Sequence, residues 1–379
     1  MLGSVLIWLL CLAGFAVLYV FAPSAVTLTL AVGALLLPLL AAVLALLMRG
    51  RVHGALQLPE EILKRQDGKI VLKLQNDGIL PFLRVRAELF AENILTGECS
   101  AQTVNCVLPA RGKTETAVGF FAAHCGMLRL RLRRLAVYDL FGLVPIPVAC
   151  DEKAELLILP ETFEPRLRLP LRSGQSEESD SYSQDKPGFD YAEVFQVREY
   201  REGDSPKQIH WKLTTKFDDL MVRDPGLPQE RTVLLYWERG CAGETPAQTD
   251  AMAEVLVSVL RGLLRQGVRC AVAWNGPDSE PEEHTLRMED ELYDLLPKLL
   301  QARRADQEGL DSYLRLYGPR KSGKVIFLAA RTTPLLESLC PPEALTVLLC
   351  TDAAEESAGR SYCFPADSFA EALDEIDLY

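Results

Sequence analysis

The first 48 residues contain no Asp, Glu, Lys, Arg or His, and the apolar run is broken at Pro23-Ser24. As helices, segments 2–22 and 25–48 would be about 31 and 36 Å long, each enough for a bilayer core of about 30 Å. A Pro-Ser pair suits a tight turn better than a helix centre, so the pattern predicts a transmembrane helical hairpin over residues 1–48. A cleaved signal peptide fits less well. No basic residue precedes the apolar run, although Ala22-Pro23-Ser24 has the small residues a peptidase accepts.

From residue 70 to about 158 the pattern changes to alternation, as in Lys69-Ile70-Val71-Leu72-Lys73-Leu74 and Leu83-Arg84-Val85-Arg86-Ala87-Glu88-Leu89. Period two marks half-buried strands. Turn residues separate them at Asn76-Asp77-Gly78, Ala110-Arg111-Gly112 and Cys125-Gly126, at a spacing that predicts an antiparallel β-sandwich-like domain over 49–165. In the run 128–133 the leucines would face the core, and Arg129, Arg131 and Arg133 would form a basic row on the other face. That row reads either as a contact to anionic headgroups or an acidic partner, or as a solvated strand face.

Beyond residue 231 strands alternate with helices. The apolar run 232–237 reads as a buried parallel strand. Met252, Val255, Leu256, Val259, Leu260, Leu263 and Leu264 then repeat at helical spacing, with Thr249 placed to cap the start and Gly267 to end it. Runs 268–274, 324–330 and 345–350 read as further strands, with a leucine-rich helix over 291–301. The region 231–379 is therefore expected to be a doubly wound α/β domain whose helical leucines are core. Between the two folded regions, 166–230 reads as a linker. Its stretch 173–185, rich in serines and acids, is expected to be a mobile loop.

Charge divides the chain. Residues 49–150 carry 14 basic and 9 acidic groups, and residues 151–379 carry 26 and 43, for a net −12 overall. The acidic half would repel a phosphate backbone, so nucleic acid is not expected as a partner. Arg49, Arg51, His53, Lys64 and Arg65 follow the hairpin, and the positive-inside rule places everything beyond residue 48 in the cytoplasm. The ten cysteines form no C-x-x-C pair, and the four histidines (His53, His124, His210, His284) lie far apart, so neither a disulfide framework nor an ordinary zinc site is written here. No glycine-rich nucleotide-binding motif occurs, and no cofactor is expected.

The densest stretch is 198–212, Arg-Glu-Tyr-Arg-Glu-Gly-Asp-Ser-Pro-Lys-Gln-Ile-His-Trp-Lys. Ser205, Pro206 and Gln208 form a capping-box pattern that predicts a short helix starting at Pro206. Asp204, after the Gly203 turn, is placed to accept from Arg198 or Arg201. Ile209 and Trp211 cannot share a helix face, and Trp211 is expected to be the one packed against another segment. The stretch reads as a buried bracket or as a binding or catalytic site.

The order Arg198, Tyr200, Gly203, Asp204, Lys207, Ile209, Trp211 resembles the signature of the bacterial family catalogued as domain of unknown function 58. Upstream, Asp139-Leu140-Phe141-Gly142-Leu143 is similar to the end of that family's β region, and with the hairpin the resemblance covers most of the chain. Lys207 and Lys216 stand where the family usually has arginine, and His210 where it often has aspartate. Lysine keeps the charge but loses the bidentate fork. The resemblance implies a von Willebrand factor A-like C-terminal domain and partners among MoxR-type AAA+ ATPases and other membrane proteins. Such domains often hold a divalent metal on Asp-x-Ser-x-Ser at the first strand's tip. Here the tip reads Trp237-Glu238-Arg239-Gly240-Cys241, with Asp352 as a distant acid, so no metal is expected.

These readings converge on a membrane-anchored, non-enzymatic assembly protein, with its oligomeric state left open. Two other classes compete. One is a hydrolase using Asp204, Glu202 or His210, and the other is a metal-dependent adhesion module. His124-Cys125 does not suggest thiol catalysis, because neighbours on a strand point to opposite faces.

Overall fold

The computed structural model describes residues 2–168, 190–201, 204, 208–217, 219–226, 232–239, 243–276, 280–302, 309–320, 323–351 and 360–378. The expected loop at 173–185 lies outside them. The chain resolves into two compact units, one of Met1–Thr162, Glu244–Glu254 and Leu296–Arg303, the other of Phe163–Gly243, Val255–Leu295 and Arg304–Tyr379.

The first unit opens with two apolar helices, α1 (Leu2–Phe21) and α2 (Ala25–Met48). Ser24 caps α2 reciprocally with Thr27, which explains why the Pro-Ser break ends one helix and starts the next. Trp8 Nε1 donates to Ala34 O at 2.9 Å, tying the helices together. Two spans were expected. Ala25–Arg51 is long and apolar enough to cross a membrane, whereas Val5–Phe21 is shorter.

The strands of this unit are β1 (Val52–Gln57), β2 (Glu61–Leu63), β3 (Asp67–Asn76), β4 (Phe82–Asn93), β5 (Cys99–Leu108), β6 (Lys113–Phe121), β7 (Gly126–Tyr138), β8 (Pro145–Val148) and β9 (Lys153–Leu159). One sheet has the order β1-β3-β6 and the other β2-β9-β7-β4-β5, with β8 added to β7. Alternation along β3 and β4 sends Leu72, Leu74, Val85, Ala87 and Leu89 into a core shared with Leu132, Leu135 and Val137 of β7. Ala45 of α2 joins the same core, and Met48 packs against it. The pairing is antiparallel except that β2 runs parallel to β9. Two buried asparagines hold the turns. Asn76 Nδ2 donates to Leu80 O and Pro109 O and its Oδ1 accepts from Gly78 N, while Asn93 bridges Cys125 O and Leu95 N.

The expected basic row holds as far as Arg133, with Arg129, Arg131 and Arg133 opposite the buried Leu130 and Leu132. A bulge in the β4–β7 pairing falls at Arg133, so the buried positions run Leu130, Leu132, then Leu135 and Val137. Arg131, Arg133 and Arg134 are exposed, and Arg129 instead donates to Glu155 at 2.9 Å.

In the second unit β10 (Arg166–Arg168) is followed by β11 (Asp190–Glu199), α3 (Trp211–Phe217), β12 (Met221–Gly226) and β13 (Val233–Trp237). Next come α4 (Pro246–Arg265), β14 (Cys270–Asn275), β15 (Pro281–Leu286), α5 (Glu289–Leu299), α6 (Gly309–Tyr317), β16 (Val325–Ala329), β17 (Leu345–Cys350), β18 (Arg360–Phe364) and β19 (Glu375–Asp377), with α4 and α5 each divided between the units. A six-stranded sheet has the order β15-β14-β13-β16-β17-β18, all parallel except β15. Strands β13, β14, β16 and β17 are buried at every position, as a parallel sheet covered on both faces requires. The edge strands β15 and β18 were not anticipated. Their polar content gives neither a continuous apolar run nor clean alternation.

Helix α4 starts one turn earlier than the expected Thr249 cap. Thr245 and Gln248 form the reciprocal box and Pro246 takes the first helical position. At its other end Gly267, at φ 72°, closes the helix, with Gly267 N donating to Leu264 O and Val268 N to Leu263 O. The seven apolar residues singled out along it are all buried.

Candidate functional site

Strands β11 and β12 pair antiparallel and carry the signature between them. Arg198 is the hub. Its two terminal nitrogens donate to Asp204 at 2.7 and 2.9 Å, and its Nε donates to Asp224 on β12 at 3.1 Å. Asp204 also accepts from Arg201 N at 2.7 Å. This bidentate pair, with Arg201's amide, pulls the Asp204 carboxyl down to about 2. At neutral pH Asp204 is an anion with both oxygens engaged, which suits it for holding a turn and not for proton transfer.

The backbone continues the bracket. Tyr200 N donates to Leu220 O, His210 N to Met221 O, and Ile209 forms a bridge with Val222. Helix α3 begins at Trp211 with His210 in the capping position, and the helix start expected at Pro206 lies outside the described residues. The His210 carbonyl accepts from Leu213 N and Thr214 N, and its Nδ1 lies 3.4 Å from Leu213 N. Ser205, Pro206 and Lys207 fall outside the described residues, as do Glu202 and Gly203.

The aromatic assignment is reversed. Ile209 is the buried residue and Trp211 is 66% exposed. Tyr200 and Leu220, joined by their backbone bond, are also exposed. Lys212 and Lys216 lie exposed on the same short helix. The signature therefore has a polar inner bracket and an apolar outer face with cations beside it.

The first strand's tip is closed by its own residues. Strand order reverses at β13, the place where an open α/β sheet leaves a crevice beyond its strand ends. There Glu238 accepts from Gly309 N at 3.0 Å and Leu310 N at 2.9 Å, capping α6 from a distance. Arg239 is buried beside it with its guanidinium 5.1 Å from the Trp237 ring centre. A side chain on Gly309 would overlap Asn275, so the close approach needs glycine. Asp352 lies outside the described residues. Among the described residues no group of three or more His, Cys, Asp or Glu is placed to hold a metal.

One cluster escaped the sequence reading. In the first unit Lys64 is buried, with Nζ 2.6 Å from Asp250 and 3.0 Å from Glu254. Asp250 accepts from Cys125 N at 2.6 Å and lies 3.2 Å from His124 Nδ1. Lys64 is therefore no surface cation. His124 and Cys125 sit in a loop, not a strand, so both reach Asp250 despite being neighbours. Burial, followed by the nearby Asp250 carboxylate, pushes the Cys125 thiol far above its usual range and leaves it without nucleophilic character at neutral pH.

No family model matches the sequence, and no curated protein does. Among solved structures the chain is similar to the CARDB domain of a Pyrococcus furiosus protein in complex with di-metal ions, at 10% identity and a TM-score of 0.22 over 28% of this chain and 87% of that one. A cohesin module from a Clostridium perfringens family 33 glycoside hydrolase gives 10% and 0.25 over 30% and 99%. Red sea bream transglutaminase gives 10% and 0.23 over 31% and 18%. At these scores the likeness carries no weight for fold or function.

Proposed function

We propose that the chain is a membrane-anchored, non-enzymatic scaffold that docks a protein partner through the outer face of its signature. The observation that carries this reading is Trp211, 66% exposed on a segment fixed from beneath by Arg198, Asp204 and Asp224. A large aromatic held rigidly in solvent, with Tyr200 and Leu220 exposed near it, is the composition of a contact hot spot. The resemblance to the family of domain of unknown function 58 names the partner class, a MoxR-type AAA+ ATPase, and other membrane proteins as further components of an envelope-related or chaperone-like assembly. The same resemblance makes the parallel sheet von Willebrand factor A-like, a reading that the strand order supports.

An anchor is favoured over a cleaved signal because α1 is tied to α2 through the Trp8 bond to Ala34 O, and α2 would remain apolar and packed on the β core even if α1 were removed. The multi-pass topology and the cytoplasmic placement rest on both helices spanning and on Arg49 and Arg51 beyond them. Against a hydrolase at the signature stands Asp204, which is doubly paired and held anionic. Against an adhesion metal stands Glu238, whose carboxylate is taken up by α6.

The test is co-purification of the full-length chain from detergent-solubilised native membranes, with and without a slowly hydrolysed ATP analogue. Wild type is expected to bring down an AAA+ ATPase in a nucleotide-dependent yield. Trp211→Ala is expected to lose at least tenfold of that yield while its unfolding free energy changes by no more than a surface substitution does, about 0.5 kcal/mol. A variant that melts early, or one that retains the partner, would sink the docking face.

A further inference from the structure

The loop between β7 and β8 has no charged residue from Leu140 to Cys150, yet it is rigidly built. Asp139 is buried, and its Oδ1 accepts from Leu143 N and Val144 N at 2.7 Å each while its Oδ2 accepts from Phe141 N at 3.2 Å. Gly142 N donates to Asp139 O, and Gly142 sits at φ 67°, a left-handed position that favours glycine. The amides of residues 141–144 are thus all satisfied from within the loop, without water. Pairing these amides internally lowers the cost of taking the turn's backbone out of water.

The side chains point the other way. Leu140, Phe141 and Val144 are exposed, and on β8 so are Pro145 and Pro147. Proline brings no N–H to a strand edge, and Pro147 O accepts from Arg49 at 3.4 Å. Phe141 and Leu143 line an apolar cleft of about 380 Å³ together with Trp8 and Cys11 of α1 and Leu37 and Pro38 of α2. Arg49 lies eleven helical steps beyond Pro38, about 16 Å along a helix. That is about half the thickness of a bilayer's hydrocarbon core. With Arg49 at headgroup level, the cleft lies at acyl depth.

We propose that residues 140–147 form a lipid-embedded strip and that the cleft between it and the two helices holds a phospholipid acyl chain. The occupant follows from continuity with the apolar helix surface, from the complete lack of charge along the strip, and from the cation at its outer end. The inference rests on the anchor reading above and adds a second membrane element from the β unit.

The test places a photo-crosslinking phenylalanine analogue at Phe141, and separately at Leu140, in the full chain reconstituted into phosphatidylcholine–phosphatidylglycerol vesicles. Leu36 on α2 and Phe121 on β6, both exposed, serve as comparisons. Illumination is expected to give phospholipid adducts at 141, 140 and 36, at least tenfold above the yield at 121, with fragment masses placing the bond on the acyl chain. Adducts at 36 but at neither loop position would overturn the strip and leave the anchor standing. None at 36 would remove the anchor and the strip together. Adducts at 141 on a headgroup, or on a second copy of the chain, would also refute the acyl occupant.

Discussion

Lys64 illustrates what a buried charge asks of its surroundings. Its ammonium holds two carboxylates in the first unit, and burial, the largest influence on Glu254, raises that carboxyl above its usual range. Lys64→Met would leave Asp250 and Glu254 buried without their cation, and removing one partner of such a set costs about 3–5 kcal/mol. Glu254 has a folded value above its unfolded one, so its contribution is present below the unfolded value and is lost as pH rises through the folded value. The variant's melting temperature is therefore expected to recover as pH falls from 8 towards 5, measured by thermal unfolding of the full chain in detergent. A pH-independent loss would show that Glu254 does not take up the proton. Asp204 carries the opposite sign. Held at about 2, it contributes above the unfolded carboxylate range and loses that contribution as pH falls through about 2. Asp204→Asn is expected to flatten the acid limb of the melting profile between about pH 4 and 2, and an unchanged limb would separate the Arg198 pair from stability.

At the scale of elements, the helix that caps itself and the helix that is capped from afar differ in how they can be read. Thr245, Pro246 and Gln248 carry the start of α4 within four letters, yet Thr249 four residues on fits the apolar register as well and drew the boundary one turn late. The start of α6 has no such local sign. Its cap is Glu238, 71 residues away in sequence, and only the close packing at Gly309 reveals it. Glu238→Ala would leave the amides of Gly309 and Leu310 buried without acceptors, a cost of about 1–3 kcal/mol each. A drop of that order in thermal stability is expected, and a neutral result would mean that the α6 terminus reaches water. The same contrast explains Trp211. Adjacent in sequence to a good bracket, it reads as packed, but the bridge between Ile209 and Val222 takes the inner position and turns the tryptophan outward. Arg134 shows the limit in strands, since strict period two would turn it inward, and the bulge beside Arg133 leaves it exposed.

Across the whole molecule, the hydrophobic pattern divided the chain into an apolar N-terminal segment, a β region and an α/β region, but it could not show that α2 is part of the β core. Periodicity reports which residues are apolar and not which surface covers them. Ala41 and Ala45 are buried, and Ala45 and Met48 lie against strands that a soluble fragment would keep. A chain trimmed to begin at residue 49 would therefore expose part of that core, at a cost of about 2 kcal/mol by area. For a unit of this size such a loss lowers the melting temperature by roughly 4–8 °C. A chain trimmed only to residue 25 keeps α2 and should hold its β core, losing the Trp8 bond and the α1 wall of the lipid cleft. Comparing the two truncations by differential scanning calorimetry tests the coupling directly. If both melt alike and close to the full chain, α2 is a tether and not a structural wall. If the shorter chain alone melts early, α2 belongs to the fold of the β unit, whatever becomes of α1.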